Sequence, residues 1–372
     1  MKIVITGGLG FIGQHLSRKL LAEGHDVMLI DLLSPQIHGE LPVVNAPLGA
    51  TVVRMDICQI AERYELIEGV DAIFHLAAET GTAQSMYQMS HYARVNSEGT
   101  TALLEAIAKC TKRPKQIILG SSRSVYGEGA YTPSDDPGPI VTAAIRTREA
   151  LDEGRWEPVD ETGRSLTPVP TPEGFPFAPG SVYAATKAAQ ELLLISSSIA
   201  LGMRATIFRF QNVYGEGQSL RNPYTGIISI FFNRARQGLR IPVYEDGLES
   251  RDFVHINDVV AALAASLLTT LPNGIVMNVG SGIPTSVSQL ADTLLKVAGF
   301  DVPIQVTGQY RLGDIRHCFA DLTQVTKHLG FTPKMSLEDG LKGFCAWAMA
   351  QPVHADLSAK AEAELKEKGL TN

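Results

Sequence analysis

Short blocks of consecutive apolar residues recur through the first third of the chain, each followed by a stretch in which apolar and polar positions mix at helical spacing. Lys2–Thr6, Val27–Ile30, Thr51–Met55, Ala72–Leu76 and Gln116–Leu119 are such blocks, and Gln14–Glu23 is the first intervening helical stretch. Strands that are apolar on both faces belong to a parallel sheet covered by helices on both sides, and strand–helix alternation builds such a sheet. The pattern predicts an α/β chain with a doubly wound parallel sheet, whose ligands sit beyond the carboxyl ends of the strands. Asp56, His75, Ala77, Ala78, Glu79, Ser121 and Ser122 fall on that edge.

The rhythm breaks at residue 128. Nine of the chain's 20 prolines fall within residues 128–180 among mixed charges. This stretch reads as an excursion from the sheet, a lid or a solvated loop, with one helix around Ile140–Glu153. Helical spacing returns at Ser181–Ala200 with Ser181 as its N-cap, and Arg204–Phe210 reads as a strand. The expected organisation is a dinucleotide-binding domain over 1–210, interrupted by the 128–180 insertion. A smaller mixed α/β substrate domain follows over 211–350, returning some strands to the main sheet, with a tail over 351–372. Residues 355–372 are expected to form a solvated helix or to fray.

The first strand runs directly into Gly7, Gly10 and Gly13. Glycines at this spacing allow a tight turn, let backbone approach a pyrophosphate, and bring the next helix's N-terminus onto the phosphates. The second strand ends in Asp31, 18 residues past Gly13. A carboxylate there suits the ribose diol of NAD and repels the 2′-phosphate of NADP. Asp56, after the third strand, is placed to accept from an adenine amino group. These features make residues 1–210 a Rossmann-type NAD site.

Composition narrows the partners. With 32 basic and 39 acidic residues the net charge is −7, which argues against nucleic acid and anionic membrane surfaces and requires local arginines for any anionic ligand. Cys58, Cys110, Cys318 and Cys345 form no Cys-x-x-Cys pair, so free thiols in a reducing cytoplasm and no metal centre are expected. No apolar run is long enough to span a membrane, and the N-terminus does not read as a signal peptide.

Tyr183 and Lys187 form a Tyr-x-x-x-Lys pair at the start of a helix. Residues four apart share a helical face, so the lysine is expected near the phenol. At ~5 Å and an effective dielectric of ~20 that attraction is about 3 kcal/mol, enough to lower the phenol by roughly two pKa units and make it a base. Ser122, at a strand end, can donate to and accept from the oxygen being oxidised. The set suits hydride transfer at a carbinol carbon.

The chain resembles the extended short-chain dehydrogenase/reductase family, and within it the nucleotide-sugar 4-epimerases, from Met1 to about Trp347. The matching segments are Thr6-Gly-Gly-Leu-Gly-Phe-Ile-Gly13, His75-Leu-Ala-Ala78, Asn96, Ser121-Ser-Arg-Ser-Val-Tyr-Gly127, Tyr183-x-x-x-Lys187, Arg251-Asp-Phe-Val-His255, Arg311-x-Gly-Asp314 and Asp321 onward. The resemblance implies Tyr183 as base, Lys187 as ribose-binding partner and Ser122 as partner of the sugar hydroxyl. It implies cofactor contacts from Phe11, Ile12, Ile57, Leu76, Ala77, Ala78 and Asn96. Substrate contacts are implied for Glu79, Ser124, Asn212, Val243, Tyr244, Arg251, Arg311 and Asp314, with Asn212 and the two arginines on the nucleotide diphosphate.

Related dehydratases and decarboxylases carry an acid just after the hydroxyl residue, where this chain has Arg123 and Ser124. That difference favours 4-epimerisation through a transient 4-keto sugar, with NAD regenerated. The segments Glu79–Met86, Gln211–Gly215 and Gln218–Gly226, with the long insertion, look most like epimerases of dTDP-L-rhamnose. UDP-hexose or UDP-uronate 4-epimerisation, and a net-redox nucleotide-sugar reductase or dehydrogenase, remain the alternatives. Cys318 matches a position that gates hexose-pocket size in UDP-hexose epimerases, although a small core cysteine is the reading favoured there. The family also implies a homodimer built on the helices at 101–108 and after Tyr183.

Overall fold

A computed structural model describes residues 1–39, 45–222, 226–353, 363–364, 366–369 and 371. Seven strands, β1 (Lys2–Thr6), β2 (Asp26–Asp31), β3 (Thr51–Arg54), β4 (Ala72–His75), β5 (Gln116–Ser122), β6 (Arg204–Phe210) and β7 (Ile275–Val279), form one parallel sheet. Their order is β7-β6-β5-β4-β1-β2-β3, with the direction of winding reversing between β1 and β4.

Alternation along each strand feeds two cores. Ile3, Ile5, Ile118, Phe208 and Phe210 point to one face, where helices α1 (Phe11–Ala22) and α4 (Ile256–Leu268) pack. Val4, Ile117, Leu119 and Ile207 point to the other, under α2 (Gly99–Lys109) and α3 (Val182–Leu201). Continuous burial explains why these strands read as unbroken apolar runs. Helix α3 starts where its cap chemistry places it, with Ser181 Oγ accepting from Ala184 N at 3.1 Å, and ends at Gly202 in the left-handed region.

After Phe210 a third core forms around the helices Ile227–Arg236, Val287–Ala298 and Leu337–Met349 and the short parallel strands Ile241–Val243 and Ile304–Val306. The strand Ser250–His255 lies between them and the site, paired to Asn212–Tyr214, Pro284–Ser286 and His317–Cys318.

The 128–180 segment is anchored at a few buried positions, among them 129–133, Leu151, Leu166, Thr171 and Phe175, while most of its residues are exposed. Tyr131–Pro133 pairs antiparallel with Leu166–Pro168. The helix expected over Ile140–Glu153 shrinks to Arg148–Asp152, because Val141 exchanges both backbone hydrogen bonds with Tyr131 and so holds the start of the stretch extended. Thr147 then caps the short helix, accepting from Ala150 N at 3.3 Å. The expected terminal helix over 355–372 lies largely outside the described residues, as do residues 223–225 of the Gln218–Gly226 segment. Among the described residues no helix is long and apolar enough to cross a membrane, and no cluster of candidate metal ligands occurs.

One buried ion pair joins the layers. Arg209 on β6 donates to Glu191 on α3 through Nε and Nη2, the latter at 2.7 Å, and Ser121 on β5 donates to the same carboxylate. Removing one member of a buried pair leaves the other charge stranded, at a cost of about 3–5 kcal/mol. Glu191→Ala is therefore expected to lower the urea midpoint markedly; an unchanged midpoint would show that the pair contributes no net stability.

Candidate active site

A cavity of about 590 Å³ opens along the carboxyl edge of the sheet where β1 and β4 diverge. Its floor is the glycine turn. A Cβ on Gly7, whose φ is +67°, would lie 2.7 Å from Ala77 N, and one on Gly13 would lie 2.4 Å from Gly7 O. Both positions are closed to any side chain, since real Cβ atoms do not approach backbone so closely. A Cβ on Gly10 would meet only Gly7 O, at 3.2 Å, so its other side faces open space at the N-cap of α1. That cradle, beside the unbonded amides of a helix N-terminus, fits a pyrophosphate.

Phe11, Ile12, Ile57, Leu76, Ala77, Ala78, Glu79, Asp31 and Asp56 complete the walls, with Tyr183, Lys187 and Asn212 at the far end. Asp31 accepts from Leu9 N at 2.9 Å and Leu33 N at 2.8 Å, which fixes the carboxylate at the wall with lone pairs left for a diol. Asp56 accepts from Cys58 N and from Arg94 Nη2 at 2.8 Å. Asn96 is a correction. It does not line the cavity; its amide is spent on the Glu79 backbone and on Thr186 Oγ1, so it holds the wall from behind.

At the far end the Ser122 side chain acts on the Tyr183 phenol, and its Oγ accepts from Ser124 N at 3.2 Å. Burial raises the phenol above its ordinary value, and Ser122 and the Arg123 charge pull it back. The expected role of Lys187 as the depressing charge is not met in this arrangement. Its ammonium donates to Gln190 Oε1 at 2.6 Å, and burial lowers its own pKa to about 8 against the pull of Glu191. Gln190 continues to Thr100 Oγ1 at 2.7 Å, which meets His75 Nε2 at 2.9 Å. Burial and the Lys187 charge push His75 down to about 3, so the imidazole is neutral.

Past Ser122 a smaller cavity of about 90 Å³ is lined by Arg123, Ser124, Arg311 and Asp314 with Thr82, Ala83 and Met86. Among its lining atoms Ser124 Oγ and Arg311 Nε are buried without a hydrogen-bond partner. The Arg311 guanidinium carbon lies 4.8 Å from the centre of the Tyr244 ring. Desolvation in the cleft pushes the Asp314 carboxyl up, but Arg251, Arg311, the Ile315 amide and Arg123 together hold it below the ordinary carboxylate range. Arg251 spends its terminal nitrogens on Ser250 O, Arg316 O, Ile315 O and Asp314 Oδ1. Asn212 Oδ1 accepts from Arg123 Nε at 3.1 Å. The Val243 side chain lies in the third core, away from both cavities, and Cys318 is buried in a small cluster with Val125, Tyr126, Ala130, Phe175 and Ala188.

Two residues were missed in sequence. Arg123 was noticed only for not being an acid, and a lone arginine beside a serine carries no motif. Gln190 lies three residues past Lys187, on the same helical face, and that spacing was the available signal.

The chain matches the model of the "NAD dependent epimerase/dehydratase family" over residues 3–147 and 161–280. It is 41% identical over 349 residues to a dTDP-L-rhamnose 4-epimerase of Burkholderia thailandensis, covering 93% of this chain and 94% of that one. Among solved structures it superposes on UDP-glucose 4-epimerase of Thermotoga maritima with UDP-glucose at TM-score 0.77 and 28% identity, covering 94% and 99% of the two chains. It also superposes on UDP-glucose 4-epimerase of Thermus thermophilus in complex with NAD at TM-score 0.73 and 25% identity, covering 95% and 100%. With the glycine cradle, the Asp31 carboxylate and the Tyr183–Ser122 pair on one sheet edge, this chain belongs to the NAD-dependent epimerase/dehydratase family.

Proposed function

We propose that the chain is a nucleotide-sugar 4-epimerase that interconverts dTDP-L-rhamnose and dTDP-6-deoxy-L-talose. The observation that carries this reading is the Tyr183 phenol with the Ser122 side chain acting on it between the two cavities, and no carboxyl at the two positions directly after that serine. Elimination of water requires a proton donor at the leaving group. Asp314, held ionised by three arginines, does not supply one, and Arg123 and Ser124 follow the serine directly. The 41% identity to the rhamnose epimerase supports the sugar and the base.

NAD, held by Gly7, Gly10, Phe11, Ile12, Gly13, Asp31, Asp56, Ile57, Leu76, Ala77 and Ala78, supplies hydride acceptance and return at C4. Ser122 holds the O4 hydroxyl toward Tyr183, whose phenolate takes the O4 proton and later returns it. The Arg123 charge favours that phenolate. Lys187 is assigned to the nicotinamide ribose, which requires its ammonium to leave Gln190. Arg311, with its unpartnered Nε, is the principal diphosphate donor, with Tyr244 beside it, while Arg251 adds charge and braces Asp314. Asn212, Glu79 and Ser124 complete the sugar wall, and Asn96 and Val243 act from behind it. Holding the substrate by its diphosphate would let the oxidised ring turn and present either face to the same proton and hydride positions. A homodimer and a cytoplasmic location belong to the same reading. The dimer is supported by Leu192 and Ile199, 53% and 80% exposed on one face of α3.

Proton NMR of dTDP-L-rhamnose with the purified protein and no added reductant tests the reading. Appearance of the C4 epimer without accumulation of NADH is expected; turnover of UDP-hexoses alone would overturn the sugar, and stoichiometric NADH the reaction. Tyr183→Phe is expected to lower kcat by about 10²–10⁴-fold while calorimetric affinity for dTDP holds. Arg123→Met removes the charge that lowers the phenol, so the acid limb of the kcat/KM profile should move to higher pH, and Arg123→Lys should stay near wild type. A limb that does not move would assign pH control to another group. In light scattering the wild type should have twice the chain mass, and Leu192→Glu/Ile199→Glu should be monomeric.

A further inference from the structure

Arg146, in the middle of the 128–180 insertion, is 7% exposed in its side chain and reaches across to two segments of the substrate side. Its Nη1 donates to Glu245 Oε1 at 2.8 Å and its Nη2 to Asp314 O at 2.8 Å. Glu245 follows Tyr244 directly, and Asp314 closes the turn that begins at Arg311, with Asp314 N donating to Arg311 O at 3.2 Å. One guanidinium therefore ties together the two halves of the Tyr244–Arg311 stack.

Two further observations say that this tie is more than packing. Glu245 has φ +48°, a left-handed conformation that a non-glycine residue keeps only when its surroundings over-determine it. The restraint is a second arginine. Arg316, fully buried, donates to Glu245 Oε2 at 2.9 Å and Asp246 Oδ1 at 2.7 Å, and its Nε donates to Glu157 of the insertion at 2.9 Å. The other side of the stack is held in the same way, because Tyr310, next to Arg311, donates to Asp152 and packs its ring 6.3 Å from that of Trp156. Four insertion residues, Arg146, Asp152, Trp156 and Glu157, thus grip both strands of chain that present Tyr244 and Arg311.

We propose that Arg146 is a positioning residue of the nucleotide-diphosphate site: through Glu245 and the Asp314 carbonyl it sets the spacing of Tyr244 and Arg311, making the insertion a part of nucleotide recognition. This rests on the assignment of Arg311 to the diphosphate given above. Nothing in the arrangement touches the Tyr183–Ser122 pair or the glycine cradle, so its loss should weaken nucleotide binding alone.

The test compares wild type, Arg146→Ala, Arg146→Lys and Glu245→Gln as full-length protein. Calorimetry with dTDP and with UDP, NAD affinity and steady-state kinetics are measured for each. The expected result is a KM and a nucleoside-diphosphate Kd about tenfold higher in Arg146→Ala, with kcat within about twofold and NAD affinity unchanged. Arg146→Lys, which keeps one contact, should recover part of the loss, and Glu245→Gln, which keeps the backbone and drops the charge, should reproduce part of it. Unchanged nucleotide affinity in Arg146→Ala, or a fall in NAD affinity and kcat with nucleotide Kd intact, would overturn the proposal. Because dTDP and UDP binding is read without turnover, a wild type that binds a nucleoside diphosphate but does not convert dTDP-L-rhamnose sinks the substrate assignment and still tests Arg146. A wild type that binds neither overturns the proposal along with the diphosphate assignment.

Discussion

A fully buried carboxylate on α3 fixes the geometry on which the rest of the site depends. Glu191 accepts from Ser121 on β5 and is gripped by Arg209 on β6. A charge removed from water is tolerated only when it is paired and hydrogen-bonded, so the helix cannot slide or turn against the sheet without leaving Glu191 exposed to that cost. Ser122 is the neighbour of Ser121, and Tyr183 lies eight residues before Glu191 on the same helix. The register that brings phenol and hydroxyl together is therefore set one layer below the chemistry. Arg209 also donates to Glu173 O and lies over the Tyr126 and Phe177 rings, so the same pair anchors the end of the insertion.

Burial shapes the charge state of the site through a line of side chains beneath it. Thr6, His75, Thr100, Gln190 and Lys187 join hydrogen bond to hydrogen bond, from the strand that feeds the glycine turn to the ammonium at the far end of the cavity. A neutral His75 avoids placing a second cation near Lys187. Burial brings Lys187 down to about 8, because the buried ammonium has lost solvation that the Glu191 charge only partly replaces. Arg123 does not titrate in the working range, which suits the charge that faces the phenol.

The insertion illustrates how composition misleads. Nine prolines and mixed charges describe a segment unable to form long helices or central strands. They do not show where such a segment is anchored. Arg155–Glu153 and Arg164–Asp135 pair within it, but Arg146 pairs with Glu245 and Glu157 with Arg316 and His317, about 100 to 160 positions away, so a reading by neighbourhood along the chain misses the pairs that anchor it.

The glycine turn, the parallel strands, the capped helix at Ser181 and the Tyr-x-x-x-Lys face were legible in the sequence because local physics fixes each of them: a turn closed to Cβ atoms, strands buried on both faces, a side-chain cap, a helical period. The Asn96 amide faces the Glu79 backbone and Thr186, and the Val243 side chain lies in the third core, placements that nothing local in the sequence distinguishes from facing a ligand. Where the Lys187 ammonium points, which cation faces Tyr183, and what holds Tyr244 to Arg311 were decided only by tertiary structure. Each depends on the energy of a charge surrounded by protein, and that surrounding is assembled from segments far apart in the chain.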